Sequence, residues 1–163
     1  MQEIKFSVIG TSWITTSFIE GAKLVDGLVL DGVYSRSEEK GKAYAQAVGA
    51  KRVFASIEEV ADSDTDFVYV ASPNSCHYEQ CKFLLENKKH VICEKPITTT
   101  SEEFSKLFFL AEENNVRYFE AIMYMHTNAR YALKEAVESI GNISSAHFDY
   151  SQLSSKYDVL LAG

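Results

Sequence analysis

Two short segments, Phe67-Val68-Tyr69-Val70 and Val91-Ile92-Cys93, are apolar at every position, and that limits what the chain can fold into. A strand with one face in water alternates polar and apolar residues, whereas a strand apolar throughout must be covered on both faces. The stretches around these runs carry apolar residues at steps of three and four, the helical period. Strands alternating with such helices form βαβ units, so an α/β fold is expected, with a doubly wound parallel sheet and helices on both sides.

The alternation extends through most of the sequence. Strands are expected at 5–10, 28–34, 52–55, 66–71, 90–94 and 117–121. Between them, Ile14, Phe18, Ala22 and Val25 mark one face of a helix over 13–25, and a second helix over 37–48 ends at Gly49. Ser56 with Glu59, and Thr100 with Glu103, have the spacing of capping boxes. Pro73-Asn74-Ser75 leads into a helix to about 87, with Asn74 as its cap or as a residue lining a cleft. After about Tyr124 the rhythm changes to a helix over 128–140 and an alternating strand over 143–150, and the tail over 157–163 is an apolar run. One helix and one strand cannot bury their own faces, so 125–163 is expected to begin a second α+β domain that is cut short.

Composition narrows the function classes. Of 163 residues, 46% are hydrophobic and 12% aromatic, enough for a packed core and too many for a disordered chain. The formal net charge of -7 offers no basic surface to a phosphate backbone, so nucleic acid is not an expected partner. No apolar run approaches the roughly 20 residues that cross a bilayer, and the first strand starts too early for a secretory leader, so a cytoplasmic protein is expected. Cys76, Cys81 and Cys93 form no C-x-x-C pair, and His77, His90, His126 and His147 are scattered, so no metal site is expected. Met123, Met125, Phe108, Phe109, Tyr118 and Phe119 read as core.

In a doubly wound sheet, ligands bind beyond the carboxyl ends of the strands, and four motifs fall there. Gly10-Thr11-Ser12-Trp13-Ile14-Thr15 follows the first strand with the spacing of the dinucleotide fingerprint G-x-G-x-x-G, although only Gly10 is glycine; an ordinary strand-to-helix turn is the competing reading. Backbone N–H groups at a helix N-terminus, aided by the Thr11 and Ser12 hydroxyls, can hold a pyrophosphate. Tyr34-Ser35-Arg36-Ser37 closes the second strand where such folds read the adenosine ribose. An acid there binds the 2′-hydroxyl of NAD, but Ser35 and Arg36 suit a 2′-phosphate, which puts NADP ahead of NAD; a solvated Arg is the alternative. Ser72-Pro73-Asn74, with His77 one turn on, borders the place expected for the nicotinamide ribose. Glu94-Lys95-Pro96 ends the fifth strand, and Pro96 restricts the backbone of Lys95, fixing where its ammonium points. An ammonium there stabilises charge on a substrate oxygen and exchanges its proton during hydride transfer, so Lys95 is the candidate catalytic residue. A surface Lys-Pro turn is the plain alternative.

Taken together, these motifs resemble the glucose-fructose oxidoreductase and inositol dehydrogenase (Gfo/Idh/MocA) family over essentially the whole chain. The first turn there often reads G-T-G-W-I-A, which Gly10 to Thr15 follow with two substitutions. Glu94-Lys95-Pro96 and Glu120-Ala121-Ile122-Met123-Tyr124 are the most specific matches. The resemblance implies a Rossmann-type dinucleotide-binding domain over 1–124, the start of the substrate domain over 125–163, and NADP or NAD as cofactor. It implies an oxidoreductase acting on a sugar, polyol, dihydrodiol or similar hydroxyl or ketone, with Lys95 beside the nicotinamide and a cis bond before Pro96. It also implies a small-molecule substrate and a homo-oligomer for the full-length protein, with the remaining catalytic residues beyond Gly163. The cofactor residues it carries over are Gly10, Thr11, Ser12, Trp13, Ile14, Ser35, Arg36, Ser72, Pro73, Asn74, His77, Glu94 and Lys95. A non-catalytic NAD(P)-binding regulator and a doubly wound methyltransferase remain as other readings, because function belongs to the site and not to the fold.

Overall fold

A computed structural model describes residues 3–149 and 151. Six strands, β1 (Ile4–Ile9), β2 (Leu28–Tyr34), β3 (Arg52–Phe54), β4 (Phe67–Val70), β5 (His90–Cys93) and β6 (Tyr118–Glu120), pair in parallel in the order β3-β2-β1-β4-β5-β6. The helices between them are α1 (Trp13–Ala22), α2 (Glu38–Val48), α3 (Ile57–Asp62), α4 (Asn74–Glu86) and α5 (Ser101–Glu113). The chain winds outward from β1 to β3, then returns to β4 on the other side of β1. The switch point of this Rossmann-type sheet therefore lies between the carboxyl ends of β1 and β4.

The apolar runs behave as double-sided strands must. Val68 and Val70 of β4 pack with Val91 and Cys93 of β5 against Cys81, Leu84 and Leu85 of α4 and Leu107 and Ala111 of α5. Tyr69, on the opposite face, joins Phe6 and Val8 of β1, Ile19 of α1, and Ala45 and Val48 of α2. The Phe18 ring of α1 stacks on Tyr69 at 3.9 Å between centroids. At the other edge of the sheet an extra residue in β2 turns Asp31 inward, where its carboxylate meets the Arg52 guanidinium at 3.0 Å and accepts from the Thr65 hydroxyl at 3.4 Å. That edge is closed by its own side chains.

Helix starts divide into two kinds. Ser37, Ser56 and Thr100 accept hydrogen bonds from the N–H groups of Lys40, Glu59 and Glu103, and each helix they open carries two acids in its first turn. Thr100 and Glu103 form the full reciprocal box, whereas Glu59 reaches one residue further back, to the N–H of Ala55 at 2.7 Å. By contrast, α1 and α4 have no side-chain cap and no acid in the first turn. Pro73 takes the cap position of α4 and Asn74 is its first helical residue, so Asn74 is not the cap. The orphan N–H groups of these two helices are those closest to the switch point.

Three expectations need correction. Helix α1 stops at Ala22, three residues early, because the N–H groups of Leu24 and Val25 turn back to Gly21 and Ala22. The aromatic and methionine set is not core: Phe108, Phe119, Met123 and Met125 are exposed and Phe109 is 63% exposed. The buried stripe of α5 runs through Leu107 and Ala111, which leaves Phe104, Phe108 and Phe109 to pack on one another. On β6, side chains alternate between faces, so Tyr118 packs against the core while Phe119 points the other way. Finally, 143–149 form no strand, since a lone strand has no ladder partner among the described residues; Tyr150 and the 157–163 tail lie outside those residues.

The chain divides into two compact units, Met1–Ile122 and Met123–Gly163. The second contains a 3₁₀ turn, Met123–His126, and helix α6, Asn128–Ile140. Among the described residues no helix is long and apolar enough to cross a membrane.

The reciprocal cap of α5 is testable in isolation. Thr100→Ala removes one half of the box and is expected to lower the unfolding free energy by about 1 kcal/mol, read as a shift of the urea midpoint at constant m-value.

Candidate functional site

The site begins where β1 and β4 are closest. Gly10 has φ +109°, a conformation that L side chains rarely adopt. A Cβ on it would lie 2.4 Å from the carbonyl oxygen of Ala71. Its N–H donates to Tyr34 at 3.1 Å and the N–H of Ala71 donates to Ile9 at 2.8 Å, so the ends of β1, β2 and β4 are drawn into one floor. Thr11 follows, half-buried, and leads to Ser12 at the start of α1. The Ser12 hydroxyl, which caps nothing, has Thr15 Oγ1 at 3.4 Å. Thr15, at the third glycine position of the fingerprint, is fully buried and fits without that glycine. Trp13 is 75% exposed and Ile14 half-buried.

At the end of β2, Ser35 is half-buried and its hydroxyl accepts from the N–H of Ser37 at 3.4 Å. Arg36 is exposed, with no ion pair or hydrogen bond among the described residues. Four helix-surface lysines differ in this respect: Lys23, Lys42, Lys82 and Lys106 each pair with an acid on the same helix.

The ends of β4 and β5 carry the densest polar network. Tyr69 donates its hydroxyl to Glu94 Oε1 at 2.6 Å, and Glu94 Oε2 accepts from the Lys95 N–H at 3.3 Å. Strand register explains this contact. Tyr69 lies opposite Ile92, so Glu94, two residues on, shares its face, and a phenol is long enough to reach it. The Lys95-Pro96 bond is cis. The ring nitrogens of His77, itself fully buried, lie 2.8 Å from the carbonyl oxygen of Pro96 and 2.9 Å from that of Ser72. The Ser72 hydroxyl donates to Gln80 Oε1 at 2.6 Å, while Pro73 and Asn74 stay exposed. From β6, Glu120 Oε1 accepts the Ile97 N–H at 3.1 Å. Lys95 is exposed, and its ammonium has no partner among the described residues.

Electrostatics mark which groups can do chemistry. Burial, and then the Glu94 carboxylate, hold the Tyr69 phenol well above its ordinary pKa. The adjacent Cys81 thiol, and then burial, raise Cys93 far above the thiol range. Both groups therefore keep their protons at neutral pH and serve as structure. Among the described residues, no three His, Cys, Asp or Glu side chains converge as a metal site.

All of the sequence-derived candidates lie on the loops that follow β1, β2, β4 and β5, or on the helix starts after them. Tyr69 and Gln80 escape a reading of motifs, and Glu120, although it opens the Glu120 to Tyr124 match, is given no role at the site by it. The only signal for Tyr69 was a hydroxyl inside an otherwise apolar run, and for Glu120 a carboxylate at the end of an edge strand. Neither reveals its partner without the strand register.

This geometry, a doubly wound sheet with two uncapped helix starts at its switch point, is that of the Rossmann-type dinucleotide-binding domains. The family model for Gfo/Idh/MocA, described as an oxidoreductase family with an NAD-binding Rossmann fold, matches residues 4–122, and the chain belongs to that family. It is 39% identical over 161 residues to the uncharacterized oxidoreductase YgjR of Escherichia coli, and 37% identical over 161 residues to scyllo-inositol 2-dehydrogenase (NADP(+)) IolU of Bacillus subtilis. In both cases the match takes in 98% of this chain and 49% of the relative, so the chain spans about half the length of those curated relatives. Among solved structures, an NAD-binding protein from Listeria innocua superposes with a TM-score of 0.78 at 29% identity, covering 86% of this chain and 41% of the other. The 3-ketoreductase KijD10 of Actinomadura kijaniata shares the fold, with a TM-score of 0.80 at 24% identity over 85% of this chain and 43% of its own.

The residues present fit the family's nicotinamide dinucleotide. Gly10 keeps the floor of the crevice free of a side chain, α1 leaves its first N–H groups and the Ser12 hydroxyl for an anion, and Arg36 is uncommitted. The Tyr69 to Glu94 contact can be measured directly. Tyr69→Phe removes a hydrogen bond to a buried carboxylate and is expected to cost about 1.5–3 kcal/mol of stability. Ser12→Ala, which breaks no cap, is expected to change stability by less than about 0.5 kcal/mol; urea denaturation of the two variants decides both.

Proposed function

We propose that the whole protein is an NAD(P)-dependent oxidoreductase acting on a sugar, polyol, dihydrodiol or related hydroxyl or ketone substrate. In this reading 1–124 form the dinucleotide-binding domain and 125–163 begin the substrate domain, so the chain supplies mainly the cofactor-binding half. The observation that carries the proposal is the uncommitted Lys95 ammonium at the carboxyl end of β5, on a backbone anchored at each of three consecutive residues. Relatives point to the same substrate class: besides the scyllo-inositol enzyme, they include a 1,5-anhydro-D-fructose reductase of Ensifer adhaerens at 33% identity. The whole protein is read as a cytoplasmic homo-oligomer whose partners are small molecules and its own copies.

The roles divide by position. The N–H groups opening α1, with Thr11 and Ser12, bind the pyrophosphate through the helix dipole and short donors. Trp13 and Ile14 flank it, and Gly10 lets the backbone approach. Ser35 and Arg36 hold the 2′-phosphate that distinguishes NADP from NAD, the guanidinium matching phosphate as a planar fork. Ser72, Pro73 and Asn74 border the nicotinamide ribose, and Glu94 orients Lys95. When bound, the nicotinamide supplies the site that gives or takes a hydride. Lys95 stabilises the charge on the substrate oxygen and holds or delivers its proton, which requires a general acid in hydrogen-bond reach of that atom.

Two substitutions separate cofactor binding from chemistry. Arg36→Ala is expected to weaken NADPH binding about tenfold or more, the scale of one charge-assisted phosphate contact, and to leave NADH within about twofold, measured by fluorescence titration. In the full-length protein, Lys95→Ala is expected to lower hydride transfer by about 10²–10⁴ while cofactor still binds. Unchanged turnover in that variant would remove Lys95 from the mechanism, and wild-type protein that binds neither cofactor would end the oxidoreductase reading.

A further inference from the structure

The placement of His77 has a use beyond packing. It stands on the first turn of α4, fully buried, and its two ring nitrogens contact two different loops: Ser72 of the β4–α4 connection and Pro96 of the β5–α5 connection. Among the described residues it is the only side chain with polar atoms within hydrogen-bond distance of the backbone of both loops. Each partner is a carbonyl oxygen, which accepts and cannot donate, so the ring nitrogen that carries the N–H donates to its loop while the ring itself is packed against both.

The loop carrying Lys95 is anchored by the burial of Ile97 in the core and by three hydrogen bonds. Pro96 has no N–H to donate. Lys95 is tied by its N–H to Glu94, Ile97 by its N–H to Glu120, and Pro96 by its carbonyl to His77. Glu94 is held by Tyr69 of β4, while Glu120 comes from the end of β6. Of these anchors, only His77 also fixes the loop assigned to the nicotinamide ribose. We propose that His77 is a positioning residue: it locks the Ser72–Asn74 loop to the Lys95–Pro96 loop, so that the grip on cofactor and the location of the Lys95 ammonium are set together.

This assigns His77 a role behind the cleft in place of direct contact with cofactor, and it rests on the oxidoreductase reading for its catalytic consequence. The chemistry makes such a link useful, because hydride transfer demands reacting atoms held to within about an ångström and a small misplacement costs about a hundredfold in rate. A side chain that holds both loops removes one independent degree of freedom from that alignment.

The test uses the full-length protein with His77→Phe, which keeps a planar ring and supplies no N–H, and His77→Gln, which keeps a donor. Hydrogen exchange is followed over 71–76 and 94–98, alongside the NADPH dissociation constant and single-turnover hydride transfer. For His77→Phe both segments are expected to exchange about tenfold faster or more while β1 and β4 stay protected. NADPH should bind at least about fivefold more weakly and hydride transfer fall at least about tenfold, as coupling through positioning requires. His77→Gln should lie between this variant and wild type on all three readouts, and it carries the test if the Phe variant does not fold. Faster exchange in one segment alone, or a lower Tm with cofactor affinity and hydride transfer within about twofold of wild type, would overturn the proposal. The exchange measurement needs no substrate, so an inert wild-type enzyme would count against the oxidoreductase reading and leave the link between the loops to be judged by itself.

Discussion

The carbonyl oxygen of Ala71 occupies the space where a side chain on residue 10 would begin, 2.4 Å from an ideal Cβ. That contact brings the ends of β1 and β4 together at the one place in the sheet where the winding reverses. Everything assigned to the site is measured from it: α1 starts three residues after Gly10, Ala71 is the first residue of the β4–α4 loop, and the end of β5 lies beside β4 in register. A larger residue at position 10 would spread the two strands and widen the crevice before any ligand was involved. The constraint follows from the fold, since only a parallel sheet covered on both faces gathers all of its strand exits on one edge.

Both edges of the sheet tie polar side chains to one another. At the amino edge Asp31, Arg52, Ser7 and Thr65 satisfy one another. At the carboxyl edge Tyr69 holds Glu94, and side chains also reach the loop backbone: Glu94 the Lys95 N–H, the His77 ring the carbonyls of Ser72 and Pro96, and Glu120 the Ile97 N–H. Loops lack the ladder partners that strands give one another, so their shape depends on such side chains. The same edge leaves two helix starts without caps or acids, whereas α2, α3 and α5 have both. An uncapped start costs stability unless water or a ligand takes the N–H groups.

Much of this was legible in the sequence because it depends on local rules. The strands followed from apolar runs, and the helix starts at Ser37, Ser56 and Thr100 from capping chemistry. The position of Lys95 followed from the proline after it. What was not legible depends on register and on which face a helix turns inward. The apolar residues of α5 outnumber those it can bury, and sequence alone does not say that Leu107 and Ala111 take the core while Phe104, Phe108 and Phe109 do not. Tyr69 looks like any aromatic in a buried strand until the pairing with β5 puts Glu94 within its reach. His77 could be placed near the site by spacing, yet its burial between two carbonyls emerges only when two loops distant in sequence are brought together.

Lys95 shows how these levels combine. A flexible lysine loses rotamer entropy when its ammonium is fixed, so it makes a poor catalyst unless the backbone beneath it is already ordered. Here that order comes from apolar packing one layer down: Val70 and Cys93 hold the strand ends, and Tyr69, stacked on Phe18, holds Glu94. The side chain that meets solvent is thus the last member of a chain of contacts that starts in the core. Substitutions at Phe18 or Tyr69, neither of which lines the cleft in the reading given above, act on Lys95 through Glu94, and their effect on position is separable from their effect on stability. The departures from the glycine-rich fingerprint at Ser12 and Thr15 fit the same pattern, because Thr15 is accommodated by burial and Ser12 is left exposed with a hydroxyl that caps nothing and meets only Thr15 Oγ1 at 3.4 Å.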